Sequence, residues 1–85
     1  MLMTRNEILE KLKEILVSAD ERNRDRLNEV TEAANLYTDL GLSSVNMLYM
    51  VIAIEEIFNI RFDNIGINEF QTVGDVVSYI EGKLS

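Results

Sequence analysis

The stretch from Ser44 to Phe58, Ser-Val-Asn-Met-Leu-Tyr-Met-Val-Ile-Ala-Ile-Glu-Glu-Ile-Phe, limits what this chain can become more than any other part of it. It contains no glycine or proline, and its apolar residues recur at helical spacing, so it reads as a helix. Met47, Met50, Val51, Ile54 and Phe58 line one face and suit a core. Val45, Leu48, Tyr49 and Ile52 form a second stripe, rotated from the first and rimmed by Glu55 and Glu56. A helix apolar nearly all round is normally buried on every side. In a bundle of 85 residues one helix can be central, so full burial is one reading. An exposed stripe that docks a partner is the other.

The flanking segments are helical too. Thr4-Arg5-Asn6-Glu7 fits a capping box, in which hydroxyl and carboxylate satisfy each other's free backbone N–H groups. Behind it Ile8, Leu9, Leu12, Ile15 and Leu16 recur at helical spacing, which predicts an amphipathic helix of about four turns. From Ser18 to Asn35 the period breaks. The mixed charges of residues 20–26 suit either a short polar helix or a long loop, and Leu27, Val30, Ala33, Ala34 and Leu36 turn the chain back to the core. Asp39-Leu40-Gly41-Leu42 makes a tight approach to the next helix, with Gly41 supplying backbone freedom and Ser43 a good N-cap. A short helical segment is expected around Asn64–Phe70. Thr72 then caps a last helix to about Leu84, with Val73, Val76, Val77 and Ile80 inward. Sustained period-2 alternation is absent, so strands are not expected. The expected architecture is all-α: residues 1–85 as one domain, a small bundle of three main helices plus a short one.

Composition narrows the function by exclusion. The chain has no cysteine and no histidine, which removes disulfides, thiolate metal sites and the commonest general base and metal ligand. No catalytic residue and no metal site are expected. The net charge of −7 is uneven. Residues 1–26 balance, whereas residues 27–82 hold nine acidic side chains against Arg61 alone. Such a surface repels nucleic acid and anionic membranes and suits basic patches on other proteins, although charge of this kind also serves simple solubility. The polar start and the lack of an apolar run of ~20 residues point to a soluble, cytoplasmic protein, and a monomer is expected.

Ser44 falls in the first turn of the apolar helix, where free N–H groups and the positive dipole end suit an anion. A phosphodiester on its hydroxyl would meet favourable electrostatics. Taken alone, Ser43 and Ser44 are ordinary capping residues.

The run Asp39-Leu40-Gly41-Leu42-Ser43-Ser44-Val45 resembles the acyl carrier protein motif Asp-Leu-Gly-x-Asp-Ser-Leu. Ala53-Ile54-Glu55-Glu56-Ile57-Phe58 is similar to that family's Ala-Leu-Glu-Glu-x-Phe at the same distance from the serine. Phe70-Gln71-Thr72-Val73-Gly74-Asp75-Val76-Val77-Ser78-Tyr79-Ile80 is similar to its last helix, and the likeness runs ungapped from Asp39 to Ile80. The resemblance implies a free-standing carrier, itself no enzyme. Ser44 would hold a 4′-phosphopantetheine arm taken from coenzyme A by a phosphopantetheinyl transferase, with Asp39, Gly41 and Ser43 shaping the attachment site. Val45, Leu48, Tyr49, Ile52, Glu55 and Glu56 would dock partners such as acyl-activating, ketosynthase or acyltransferase enzymes. The reactive sulfur would arrive with the arm, which accounts for a chain without cysteine or histidine.

Four positions depart from the family pattern. Ser43 replaces an aspartate and Val45 a leucine. Asn46 and Tyr49 stand where fatty-acid carriers usually place acidic residues. The expectation is a dedicated partner set in a specialised fatty-acid or polyketide-type pathway. The alternatives are a peptidyl or D-alanyl-type carrier and an unmodified helical adaptor. Met47, Met50, Val51, Ile54, Phe62 and Ile65 are either plain packing or residues that part to admit an acyl chain.

Overall fold

Caps and apolar faces set the architecture. The computed structural model describes residues 3–19, 21–22, 24–25, 30–62 and 70–84. Among them lie three helices, α1 (Arg5–Ala19), α2 (Ser44–Phe58) and α3 (Val73–Leu84), and no strand. The segment expected to be helical around Asn64–Phe70 falls, but for Phe70, outside the described residues, as do Leu27 and Ile65.

Helix α1 starts where the capping box places it. The Glu7 N–H donates to Thr4 Oγ1 at 3.1 Å and the Thr4 N–H to Glu7 Oε1 at 2.9 Å. That second bond holds the Glu7 carboxyl below its ordinary range. Helix α3 starts in the same way. The Asp75 N–H donates to Thr72 Oγ1, while Asp75 Oδ2 accepts from the N–H groups of Gln71 and Thr72, each at 3.0 Å. These bonds lower the Asp75 pKa, the Gln71 contribution being the larger.

Ile8, Leu12, Ile15 and Leu16 of α1, Met47, Met50, Ile54 and Phe58 of α2, and Val73, Val76, Val77 and Ile80 of α3 form one core, with α1 packed on both other helices. Val51, placed on the inner stripe of α2 by its spacing, is half-buried. Val30, Ala34, Leu36, Leu40 and Leu42 close the core from the connecting segment. Ala33, also expected inward, is exposed. Its neighbour Ala34 takes the inward place because its carbonyl is drawn to the start of α3 by the Val73 N–H.

That segment is held by backbone pairing. The N–H of Leu36 donates to the Gln71 carbonyl at 2.8 Å, and that of Val73 to the Ala34 carbonyl at 3.0 Å, around an antiparallel bridge between Asn35 and Thr72. One step on, the Gly74 N–H donates to the Glu32 carbonyl at 2.8 Å. A Cβ on Gly74 would lie 3.0 Å from that oxygen, a tight contact that glycine avoids. The Glu32 side chain pairs with Arg5, which also reaches Glu81 Oε1 at 2.9 Å and Ser78 Oγ at 3.1 Å. Both partners respond: the Glu32 carboxyl is held below its ordinary range, and the Arg5 guanidinium binds its proton more tightly. One guanidinium thus joins the start of α1, the connecting segment and the second half of α3.

Beyond α2, Phe62, Phe70 and Tyr79 form a mutual aromatic cluster with ring centroids 4.8–5.7 Å apart. The Tyr79 hydroxyl donates to the Arg61 carbonyl at 3.2 Å.

Candidate functional site

The approach to α2 is built around Asn35. Its Oδ1 accepts from the N–H groups of Tyr37 and Thr38, each at 2.9 Å, which bends the chain in an Asx-type turn. Its own N–H donates to Asp39 Oδ2 at 2.7 Å, and its carbonyl accepts from the N–H groups of Asp39 and Leu40. The Asp39 carboxylate is thus employed in shaping this turn. Gly41 then takes φ +65°, a left-handed conformation that side chains disfavour, and the Leu42 N–H returns to the Leu36 carbonyl. Leu40 and Leu42 anchor the loop in the core on either side of the turn.

Ser43 follows in extended conformation as the N-cap of α2. Its Oγ accepts from the Asn46 N–H at 3.2 Å and its hydroxyl donates to Asn46 Oδ1 at 2.9 Å. The Ser43 N–H also donates to Asn46 Oδ1, at 3.0 Å, completing a capping box with asparagine in the third helical position. The same Asn46 uses its Nδ2 to donate to the Ala19 carbonyl at 3.2 Å, an acceptor that the end of α1 leaves open. Asn46 is therefore a structural joint. The Ser-x-x-Asn spacing carried the signal for the cap, whereas nothing local foretold the bond to Ala19.

This framework delivers Ser44 to the first position of the helix with its side chain exposed. The N–H groups of Ser44 and Val45 have no carbonyl one turn behind them, and the first turn contains no acidic residue. An anion on the Ser44 oxygen would meet the positive end of the dipole without repulsion from its own helix. A phosphodiester fits this position sterically and electrostatically. Asp39, Gly41 and Ser43 form the turn and cap that precede it.

The second stripe of α2 faces outward. Val45 is 74% exposed, Leu48 52%, Tyr49 46% and Ile52 57%. Glu56 is exposed on the same side, whereas Glu55 is half-buried with its Oε2 accepting from the Phe62 N–H at 3.0 Å. The Glu55 carbonyl accepts from Asn59, which sits in left-handed conformation at φ 56°, and from Ile60. Glu55 therefore finishes the helix as well as bordering the stripe. A surface cleft lined by Ile52, Glu55, Glu56, Asn59, Ile60 and Arg61 lies at this end of α2. Ile57 is exposed too, but round the helix from the stripe.

No group of three or more Asp and Glu side chains that could hold a metal ion is found among the described residues. No helix formed by those residues is long and apolar enough to cross a membrane.

Comparison with known proteins gives the family. Residues 10–80 match the family described as phosphopantetheine attachment site. An acyl carrier protein of Thermotoga maritima is 37% identical over 98% of this chain and 99% of its own length. One from an Exiguobacterium species is 35% identical over 96% of this chain and the whole of its own, and one from Wolinella succinogenes 38% identical over 87% and 93%.

Proposed function

This chain belongs to the acyl carrier protein family, whose members bear a covalently attached 4′-phosphopantetheine, and on that premise we propose that Ser44 is the residue that holds the arm. The observation that carries the assignment is the placement of Ser44: exposed, at the first position of α2, beside unpaired helix N–H groups and away from acidic neighbours in its turn. When attached, the arm supplies a thiol that carries an acyl group as a thioester. The chain's own residues present the linkage. Ser43 and Asn46 fix the first turn, Gly41 and Asn35 set the direction from which the chain reaches it, and the dipole of α2 stabilises the diester charge.

Family members are carriers, not enzymes, and work with phosphopantetheinyl transferases and acyl-handling enzymes. We infer further that this one serves a specialised fatty-acid or polyketide-type route, through acyl-activating, ketosynthase or acyltransferase partners. Support comes from the absence of charge between Leu40 and Ile54, where a housekeeping carrier would offer acidic docking residues.

Two experiments test these statements. Incubation with coenzyme A and a broad-specificity phosphopantetheinyl transferase should add one phosphopantetheine unit to the intact mass of the wild type and nothing to Ser44→Ala. A folded wild type that gains no mass would leave an unmodified adaptor as the better reading. For the pathway, the gene should fail to replace a housekeeping carrier in cells. Normal fatty-acid output from such a replacement would refute the specialised assignment.

A further inference from the structure

We propose that Asn46 is a positioning residue for attachment of the arm: by tying the first turn of α2 to the end of α1, it holds the Ser44 hydroxyl in one fixed presentation. This rests on the assignment of Ser44 above. The opening turn of a helix is its loosest part, because its leading N–H groups have no carbonyl behind them and it opens locally at little cost. Ser44 lies in that turn. Of the stretch from Leu42 to Met47 only the two end residues are buried; Ser43, Ser44 and Val45 are exposed, and Asn46 is half-buried. Packing therefore grips the stretch at its ends and leaves the serine between them to hydrogen bonding.

Those hydrogen bonds are of two kinds. The Ser43–Asn46 box and the bond from the Met47 N–H to the Ser43 carbonyl are local, so they would move with the turn as a unit. The bond from Asn46 Nδ2 to the Ala19 carbonyl, at 3.2 Å, spans 27 positions. Among the described residues it is the one hydrogen bond from residues 43–46 to another element. Only a side chain that accepts and donates at once serves both places, Oδ1 facing the Ser43 N–H and Nδ2 facing a carbonyl. An aspartate would keep the cap but turn a second acceptor toward Ala19. The kinetic consequence is specific. An enzyme that captures only the fixed presentation meets an affinity reduced by the fraction of carrier that holds it. Loss of the tie thus raises KM, while kcat stays level because the captured serine is back in place.

Steady-state transfer from saturating coenzyme A, with a broad-specificity phosphopantetheinyl transferase, tests this on the intact apo-proteins of wild type, Asn46→Ala and Asn46→Asp. NaCl at about 0.5 M largely screens the carboxylate that Asn46→Asp adds. Asn46→Asp keeps the cap and lacks the donor, so it should be more stable than Asn46→Ala yet share its rise in KM, about threefold or more, with kcat within about twofold. A role in stability alone would make KM follow the thermal midpoint instead. NMR relaxation of the free apo-variants should show added motion at the Ser44 and Val45 amides and none in α3. Should Asn46→Ala fail to fold, Asn46→Asp carries the test. A wild-type KM in Asn46→Asp overturns the proposal. So does a raised KM with Ser44 and Val45 amides as rigid as in the wild type, since Asn46 would then act by touching the enzyme. Either result leaves Ser44 as the attachment site. A folded wild type that accepts no arm instead refutes the Ser44 assignment, and this proposal falls with it.

Discussion

At the scale of single residues, Asn46 has more structural duties than its neighbours. It completes the cap of α2 through its backbone N–H and Oδ1, and donates from Nδ2 to the Ala19 carbonyl. Asn46→Ala removes the side-chain half of the box and the donor to α1, and should cost about 1–2 kcal/mol. Asn46→Asp should recover part of that, because a carboxylate still accepts from the Ser43 N–H and meets the helix dipole but has no hydrogen for Ala19. Urea unfolding of the two variants beside wild type gives the comparison; equal losses would remove the Ala19 bond from the explanation. Ser43 and Gly41 were legible because each answers a local requirement, a cap and a positive φ. The second role of Asn46 was not, since it depends on where α1 ends in space. The resemblance had placed an acidic docking residue at that position, and the structure gives it a reason to be an amide.

At the scale of elements, the helices were legible and the connecting segment was not. Each helix announces itself by apolar spacing and a cap within four residues, and Thr4, Ser43 and Thr72 all perform as caps. Periodicity also separated the two stripes of α2 and put Met47, Met50, Ile54 and Phe58 in the core, yet it could not say whether the second stripe was buried as well, because that stripe is apolar too. The segment from Val30 to Leu42 is organised by partners remote in sequence, such as Gln71 and Val73, and no local pattern encodes such pairing. Two glycines of α3 show the contrast between local and tertiary demands. Alanine at Gly82 meets nothing within 4 Å, so Gly82→Ala should stabilise by about 0.5–1 kcal/mol through backbone entropy. Alanine at Gly74 would press on the Glu32 backbone, which is itself bonded to the Gly74 N–H. Gly74→Ala should therefore destabilise by about 1–3 kcal/mol despite its better helix propensity. Thermal unfolding of both variants should move the midpoint in opposite directions, and a stabilising Gly74→Ala would contradict the packing described between α3 and residue 32.

At the scale of the whole molecule, Glu7, Glu32 and Asp75 link stability to pH. Each carboxyl is held below its ordinary range, by the Thr4 N–H, by Arg5 and by the Gln71 and Thr72 N–H groups respectively. The unfolded chain therefore binds protons at these sites before the folded one does. Their stabilisation is complete above the ordinary carboxylate range of about 4 to 4.5 and is lost as pH falls through the lowered values. The thermal midpoint should hold from neutrality to about pH 5 and decline below about 4. Asp75→Asn, which keeps an acceptor but cannot titrate, should decline less steeply. Near the isoelectric point of about 4.4 the net charge vanishes and self-repulsion is weakest, so a decline already under way there belongs to these pairs. An identical acid slope in Asp75→Asn would exclude that carboxyl from the effect.

The Arg5 junction has a practical consequence for handling the protein. It places the beginning of α1 against Ser78 and Glu81, while the far end of α1, Ala19, is bonded to Asn46 beside Ser44. Fifteen residues of α1 separate these poles, a span of about 22 Å. A fluorophore, affinity handle or solid support coupled near Glu81 thus occupies the pole opposite the attachment serine. Immobilised from that side, the protein presents Ser44 and the outward stripe of α2 to the bulk solution, ready for whatever enzyme is flowed across it.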